Sequence, residues 1–289
     1  MLGEISAILA AVFWSFTAIL YKKGISFLSA LPAVLVRSFI GMIFFLVVYL
    51  FIRGAEFSVP LIALFYLILG GIFRLVLGDL AYLKSLEFAA VSRVVPIVFT
   101  FPLFTILLSM EILKEEIPLS VIVGSVLIVV GIWILSNKKD SISMEKDAKK
   151  GVIFSLLAAI LYSFSIITTK IGLIDVDPFL ANFIRMPIPV LIFYLAYSFE
   201  EGPKAIFEHN SKSYVLLGLA GITGLGIGTY FFLFSLAQIS TSHATSLSST
   251  TPLFSSLFAF IFLKERFTLR LLSGILTIFI GICIITLLN

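Results

Sequence analysis

The sequence predicts an all-α polytopic membrane protein whose ten transmembrane helices form two inverted five-helix repeats. Three observations support this fold class: the composition, a series of long apolar runs, and an internal repeat. Of the 289 residues, 60% are hydrophobic and 12% are charged, and the mean hydropathy is +1.18. A water-soluble globular chain is far less apolar than this, so the solvent of most side chains is predicted to be lipid.

The apolar runs are long enough to cross a bilayer as helices, which takes about 20 residues. Strands of a membrane barrel would be short and alternating instead. The first run follows "MLGE", which has no Lys or Arg, and is therefore predicted to be a retained span and not a signal peptide. The predicted spans are 3–21, 31–52, 60–83, 91–113, 117–136, 151–169, 179–198, 213–236, 243–263 and 269–287.

An internal repeat organises these spans into two halves. The stretch "TFPLFTILLSMEILKEE" at 100–116 returns as "TTPLFSSLFAFIFLKER" at 250–266, and "AAVFWSFTAI" in the first span resembles "AAILYSFSII" in the sixth. Because each half holds five spans, an odd number, the second half enters the membrane from the opposite side. The matched pairs are Trp14 with Tyr162, Arg37 with Arg185, Pro102 with Pro252, Glu115 with Glu265, Gly124 with Gly274, and Gly131 with Gly281.

The repeat predicts the domain boundaries and a role for its matched glycines. Residues 1–136 form the first five-helix repeat, 137–150 a connecting loop, and 151–289 the second repeat. The matched glycines are spaced seven residues apart in the fifth and tenth spans, so they share roughly one helix face. They are predicted to make scaffold or dimer contacts.

Matched prolines lie near the middle of the fourth and ninth spans. Pro102 and Pro252 each remove a backbone donor and bend the helix, which leaves the carbonyl of Val98 or Ser248 without its usual partner. Two interpretations are open: a packing kink, or a helix break that shapes a central cavity or gate.

Charged residues inside spans are costly in lipid and point to a site. Arg74 and Asp79 lie within the third span. Five residues correspond to about 140° around an α-helix, so the two are not expected to make an ideal pair with each other. They are predicted either to form a buried structural ion pair with another helix or to form a substrate or proton site.

Further candidates for the wall of a cavity come from both halves. Arg37 and Arg185 either extend to the lipid headgroups or face a cavity, and Trp14 and Tyr162 either pack in the core or form a stacking wall. The ninth span contains "STSHATSLSSTTPLF". The many hydroxyl groups of this segment predict a water-accessible path along the helix. The candidate substrate-binding residues are Arg74, Asp79, Trp14, Tyr162, Arg37, Arg185, Ser249 and Thr251, with Pro102 and Pro252 as gating or kink residues.

These motifs together resemble the drug/metabolite transporter superfamily, in its EamA-like branch. The resemblance rests on two fivefold halves, the aromatic-Ser pair in the first span of each half, the Arg in the second, and Pro-Leu-Phe followed by Leu-Lys-Glu. It implies a carrier, in many members an exporter of amino acids or other small metabolites, with a central cavity between the halves. The related small multidrug exporters have a glutamate in the first helix, where this chain reads "LAAVFWSF".

Other function classes lack their motifs in this sequence. There is no phosphate-binding Gly-Lys-Ser/Thr loop, and neither the two histidines nor the single Cys283 belongs to a metal-ligand cluster. The chain is therefore predicted not to be an enzyme and to need no cofactor or metal. The alternative is a membrane-embedded enzyme or lipid-handling protein, and a channel is a third possibility. The net charge of +4 lies mostly at helix ends, so nucleic acid is not an expected partner.

The sequence thus predicts a secondary transporter of the cell membrane that works by alternating access, as a monomer or homodimer. Three arginines, Arg37, Arg74 and Arg185, lie six or more residues inside the predicted spans, against one clearly mid-membrane acid, Asp79. This excess predicts an amino-acid-like or otherwise carboxylated substrate, with Arg74 as anchor and Asp79 coupling transport to protons. Loops after odd-numbered spans hold most of the 20 Lys and Arg residues. The positive-inside rule then places both termini outside, whereas the family resemblance implies termini inside.

Overall fold

The computed structural model describes residues 1–24, 30–53, 58–89, 91–136, 147–201, 211–263 and 268–288. Throughout these described ranges the ordered elements are helices and none is a strand, which confirms the predicted all-α class. Most of the predicted connecting loop, together with Lys264 and Glu265 of the repeated Leu-Lys-Glu, lies outside the described residues.

Ten membrane helices, α1 to α10, follow the predicted spans. In the described part of the chain, nine of these helices are long and apolar enough to cross a membrane. The tenth, α9, contains the segment rich in Ser and Thr. The helices are α1 Leu2–Gly24, α2 Ala30–Arg53, α3 Leu61–Phe88, α4 Val91–Val98 and Phe101–Leu108 with a π-helical end Ser109–Leu113, α5 Leu119–Ser136, α6 Ala148–Gly172, α7 Pro178–Arg185 and Pro187–Glu201, α8 Ser211–Gln238, α9 Thr241–Ser248 and Thr251–Leu263, and α10 Leu269–Leu287.

Helix α6 begins three residues before the predicted boundary because Asp147 caps it. The Asp147 carboxylate accepts a hydrogen bond from the backbone N–H of Lys150 at 3.1 Å. This bond satisfies a donor that the first helical turn leaves unpaired. It also favours the charged carboxylate, so the pKa of Asp147 is lowered from its ordinary value.

The two halves are inverted repeats that pack through corresponding surfaces. Helix α1 packs along α8 of the other half, as α6 packs along α3, and α5 lies against α10. The glycines of α5 and α10 face each other within the chain: a Cβ at Gly131 would lie 2.5 Å from the Ile278 side chain, and one at Gly281 would lie 2.7 Å from the Gly124 carbonyl. Their contacts are therefore those of an internal scaffold.

The helices that carry the matched prolines, α4 and α9, both break two to three residues before Pro102 and Pro252. In α9 the break falls at 249–250, and the equivalent break in α4 falls at 99–100. Threonine hydroxyls bind the carbonyls there, with Thr100 donating to Ile97 at 2.6 Å and Thr250 to Leu247 at 2.7 Å. The Ser248 carbonyl, predicted to lose its partner, accepts from the Thr251 hydroxyl at 2.9 Å. The breaks are thus hydrogen-bonded features of both repeats.

Candidate functional site

A cavity of about 370 Å³ lies between the two halves. Helices α1 to α4 and α6 to α9 contribute to its wall, while the described residues of α5 and α10 do not. Its size is that of a pocket for one small molecule. Its charged, amide and hydroxyl side chains are Thr17, Arg37, Ser38, Arg74, Asp79, Tyr82, Tyr162, Ser165, Thr169, Asn182, Arg185, Thr229, Ser248 and Thr251.

Arg74 and Asp79 bind each other in this cavity, contrary to the prediction from α-helical geometry. The guanidinium nitrogen Nη1 of Arg74 lies 3.1 Å from Oδ1 of Asp79. The reason is a π-helix over Ile72–Gly78 in the middle of α3. A π-helix bonds residue i to residue i+5, so side chains five apart lie on nearly the same face. The expected separation of about 140° applies only to an α-helix.

Tyr162 completes this group from the second half. Its hydroxyl donates to the same Asp79 Oδ1 at 2.8 Å, and the guanidinium carbon of Arg74 lies 3.7 Å from the centre of its ring. Gly78 allows this approach, because a Cβ there would lie 2.5 Å from the ring. Arg74, Asp79 and Tyr162 therefore form a charge-balanced group, and the Arg74 side chain is 38% exposed.

The second repeat contains a neutral counterpart of this group. A π-helix over Gly221–Gly228 interrupts α8, and Trp14 takes the place of Tyr162. The Trp14 indole donates to the Gly224 carbonyl at 3.1 Å, and the Thr229 hydroxyl donates to the same oxygen at 3.0 Å. Only the first repeat therefore carries an ion pair at this position.

The serine of each aromatic-Ser motif binds a broken helix of the opposite half. The Ser15 hydroxyl donates to the Thr251 carbonyl at 2.7 Å, and the Ser163 hydroxyl donates to the Phe101 carbonyl at 2.9 Å. Each acceptor is the first residue after a break. The motif thus supplies one aromatic side chain to the cavity wall and one hydroxyl that holds the break in place.

The two matched arginines both reach the cavity. Arg185 is only 5% exposed, so its side chain does not extend to the headgroups. Its Nη2 lies 3.4 Å from the Ser165 hydroxyl, which in turn donates to the Gly70 carbonyl at 2.6 Å. The buried Nε of Arg185 has no hydrogen-bond partner among the described residues. Arg37 is partly buried and lines the same cavity.

The structure separates the remaining candidates. Thr251 lies on the cavity wall. Ser249 is buried but does not line the cavity, and its hydroxyl donates to the Ser246 carbonyl at 2.7 Å. Pro102 and Pro252 lie just after the breaks and do not themselves line the cavity. The neighbouring residues that do line it are Val98, Phe99, Ser248 and Thr251. Substrate binding and gating by these residues remain predictions.

Several polar residues of the cavity wall were not foreseen from the sequence, among them Ser165 and Thr17. Ser165 contacts Arg185, and Thr17 lies 2.8 Å from the Thr223 hydroxyl. They occupy matched positions in the repeats, since Thr17 aligns with Ser165 as Trp14 aligns with Tyr162. A search for hydroxyls shared by both halves would have found them.

A polar cluster joins helix ends on one face of the membrane. Glu115, after α4, accepts from the backbone N–H of Thr241 at 2.9 Å and from the Ser242 hydroxyl at 3.3 Å. The Lys170 ammonium donates to the carbonyls of Leu236 and Ile239 at the end of α8. Glu115, one of the matched residues of the repeat, thus caps α9.

Comparison with known proteins gives a consistent picture. The model of the EamA-like transporter family matches residues 1–137 and 149–287. An uncharacterized transporter of Archaeoglobus fulgidus is 27% identical over 99% of both chains. The uncharacterized transporter YoaV of Bacillus subtilis is 26% identical over 98% of this chain and 94% of its own. A solved crystal structure superposes with a TM-score of 0.84 at 18% identity over 99% of both chains, which shows a shared fold.

Proposed function

Since the chain belongs to the EamA-like transporter family and is a multi-pass transporter of the cell membrane, we propose that it is a secondary exporter of a small polar metabolite. The proposed substrate is amino-acid-like or otherwise carboxylated, and the proposed mechanism is alternating access. The observation that supports this proposal is the central cavity, with arginines from both halves in its wall and space for one small molecule.

The paired breaks and π-helices support movement of the halves about this cavity. Irregular backbone inside a membrane is tolerated where it is buried in protein or lines a cavity. Here both repeats place such backbone beside the same cavity, in α3, α4, α8 and α9. Inverted repeats with broken helices around a midplane site are the architecture on which rocking carriers are built.

Proton coupling is proposed at Asp79. Its Oδ1 holds both the Arg74 guanidinium and the Tyr162 hydroxyl. Adding a proton to this carboxyl removes its charge, which weakens the ion pair and frees the guanidinium. Proton binding would in this way change the charge of the cavity between two transport states.

The experiment is transport by the purified full-length protein in proteoliposomes. A panel of labelled amino acids, organic acids and nucleosides is tested for uptake and for counterflow, with empty liposomes as the control. A carrier shows saturable uptake and counterflow of at least one carboxylated compound, and a channel shows neither. No transport of any compound under an imposed pH gradient contradicts the proposal.

A further inference from the structure

We infer that Arg185, not Arg74, is the anchor for the anionic group of the substrate. This inference rests on the proposed transport of a carboxylated metabolite and assigns a specific residue to its recognition. The two arginines line the same cavity, but their surroundings differ. Only one of them is balanced by a carboxylate in the described structure.

Arg74 is already occupied. Its guanidinium binds Asp79 at 3.1 Å and stacks on Tyr162 at 3.7 Å. A substrate carboxylate at Arg74 would have to compete with Asp79 and would bring a second negative charge beside it. Like charges in a low-dielectric cavity repel strongly, so binding there is disfavoured while Asp79 is charged.

Arg185 has no such partner. Among the described residues, no carboxylate makes an ion pair with it, since Asp79, the acid of the cavity wall, pairs with Arg74 instead. In the described part of the structure its one side-chain hydrogen bond goes to the neutral Ser165 hydroxyl at 3.4 Å, and its buried Nε has no partner there. A buried, unpaired charge is costly, and an anion in the cavity would remove that cost.

The guanidinium of Arg185 and the rest of the cavity wall define the chemistry of this anion. Guanidinium binds a carboxylate through two parallel hydrogen bonds, which lysine does not reproduce. Much of the cavity wall is apolar or aromatic and includes Trp14, Phe99, Phe101, Met186 and Phe232. The geometry therefore fits a carboxylate attached to an apolar body, with the anion at Arg185.

Ser165 links Arg185 to α3. Its hydroxyl accepts from Arg185 and donates to the Gly70 carbonyl at 2.6 Å, at the point where α3 approaches its π-helix. Arg185 is thereby tied to the helix that carries the Arg74–Asp79 pair. Neutralisation of Arg185 by substrate would also reduce the repulsion that it exerts on Arg74.

The binding test uses three probes of similar shape: L-phenylalanine, 3-phenylpropionate, which lacks the ammonium, and 2-phenylethylamine, which lacks the carboxylate. Thermal stabilisation of the full-length protein reports binding, because a ligand selective for the folded state raises stability. We expect both acids to stabilise the wild type and the amine to have no effect. Arg185→Gln should weaken binding of the acids about ten- to a hundredfold, because a charged hydrogen-bonded contact is lost.

Conservative and matched variants complete this test. Arg185→Lys should lose most of the same affinity, since lysine lacks the paired donors. Arg270→Gln removes an arginine of α10 that binds the Ile134 carbonyl outside the cavity wall, and should keep wild-type affinity. Carboxylate-dependent stabilisation of normal size in Arg185→Gln would overturn the assignment, as would a wild type that neither acid stabilises.

A second measurement needs no ligand. Arg185→Met replaces an uncompensated charge with an apolar side chain, so the ligand-free variant should melt at or above the wild-type temperature. Arg74→Met leaves Asp79 unpaired and should melt lower. A fall for Arg185→Met as large as that for Arg74→Met would show a structural role and overturn the inference.

These outcomes separate the anchor from the proposed function. Uptake of 2-phenylethylamine together with exclusion of both acids would overturn the anchor and leave transport standing. Absence of transport for the wider panel of compounds would contradict the proposed function, while the melting comparison of the two methionine variants would still decide whether Arg185 is uncompensated.

Discussion

At the scale of single residues, the Arg74–Asp79–Tyr162 group combines an ion pair, a hydrogen bond and a cation–π contact. Arg74→Met is predicted to destabilise the protein by about 2 kcal/mol, because it leaves the Asp79 charge without its partner. The loss should be smaller than for a fully buried pair, since the Arg74 side chain is 38% exposed. Thermal or denaturant unfolding in detergent measures it.

The control for this prediction is the double variant Arg74→Met/Asp79→Leu. It removes both charges together, so its destabilisation should be smaller than the sum of the two single effects. Strict additivity would mean that the two side chains do not interact energetically.

The charged residues of the cavity were identifiable from the sequence, but their pairing was not. Arg74, Asp79, Arg37 and Arg185 were recognisable because charge is rare inside membrane spans. The Arg74–Asp79 pair could not be predicted, since it depends on a π-helix and the sequence pattern was interpreted with α-helical spacing. That no described carboxylate pairs with Arg185 could not be predicted either, because this depends on how the helices pack around it.

At the scale of elements, the π-helices in the middle of α3 and α8 each bring a glycine close to the first helix of the opposite repeat. A Cβ at Gly78 would lie 2.5 Å from the Tyr162 ring and 2.7 Å from the Phe73 carbonyl. Gly78→Ala is therefore predicted to cost about 1–3 kcal/mol, because ring and backbone must move apart. Unfolding in detergent measures the loss.

Gly226→Ala is the matched control within the other π-helix. Its Cβ would meet the Phe45 side chain at 3.2 Å, a distance that a small shift of one ring relieves. Its effect should be clearly smaller than that of Gly78→Ala. Equal losses would mean that the π-helix itself, and not the contact with Tyr162, is sensitive to the added methyl group.

The cap on α9 gives a second prediction for an element. Glu115 accepts from the Thr241 N–H and the Ser242 hydroxyl, so Glu115→Ala should cost about 1–2 kcal/mol and expose the first turn of Thr241–Ser248. Hydrogen exchange of that segment and unfolding in detergent measure the two effects. The neighbouring Glu116→Ala should change stability by less than about 0.5 kcal/mol. Similar effects of both variants would argue against the cap.

The helices themselves were predicted closely because apolar length and the repeat both specify them. The breaks before Pro102 and Pro252 were placed in the correct helices, since proline cannot continue the backbone ladder. What the sequence did not reveal is how the breaks are held. The bonds from Ser15 to Thr251 and from Ser163 to Phe101 join residues far apart in the chain, and only the packed halves bring them together.

At the scale of the whole molecule, alternating access requires that the cavity wall meet water in some transport state. In a Cys283→Ala background, Thr251→Cys should react with a water-soluble maleimide, because Thr251 lines the cavity. Ser249→Cys, two residues away, should react much more slowly, because Ser249 is 1% exposed. A transported substrate should change the rate at Thr251. Equal rates at both positions, with or without substrate, would argue against the cavity as the transport path.

The direction in which the protein crosses the membrane is predicted from its charge distribution. Most of the 20 Lys and Arg residues lie in the loops after α1, α3, α5, α7 and α9 or in the helix ends that flank these loops. Positively charged segments of this kind tend to stay in the cytoplasm. With ten spans, this places both termini outside, opposite to the orientation that the family resemblance implies. A C-terminal fluorescent reporter that matures only in the cytoplasm should therefore be dark, and the same reporter in the loop after α5 should be bright. A bright C-terminal fusion would show that the termini are inside and would contradict the prediction. The positively charged loops would then lie outside, where they could attract an anionic substrate to the outer opening of the cavity.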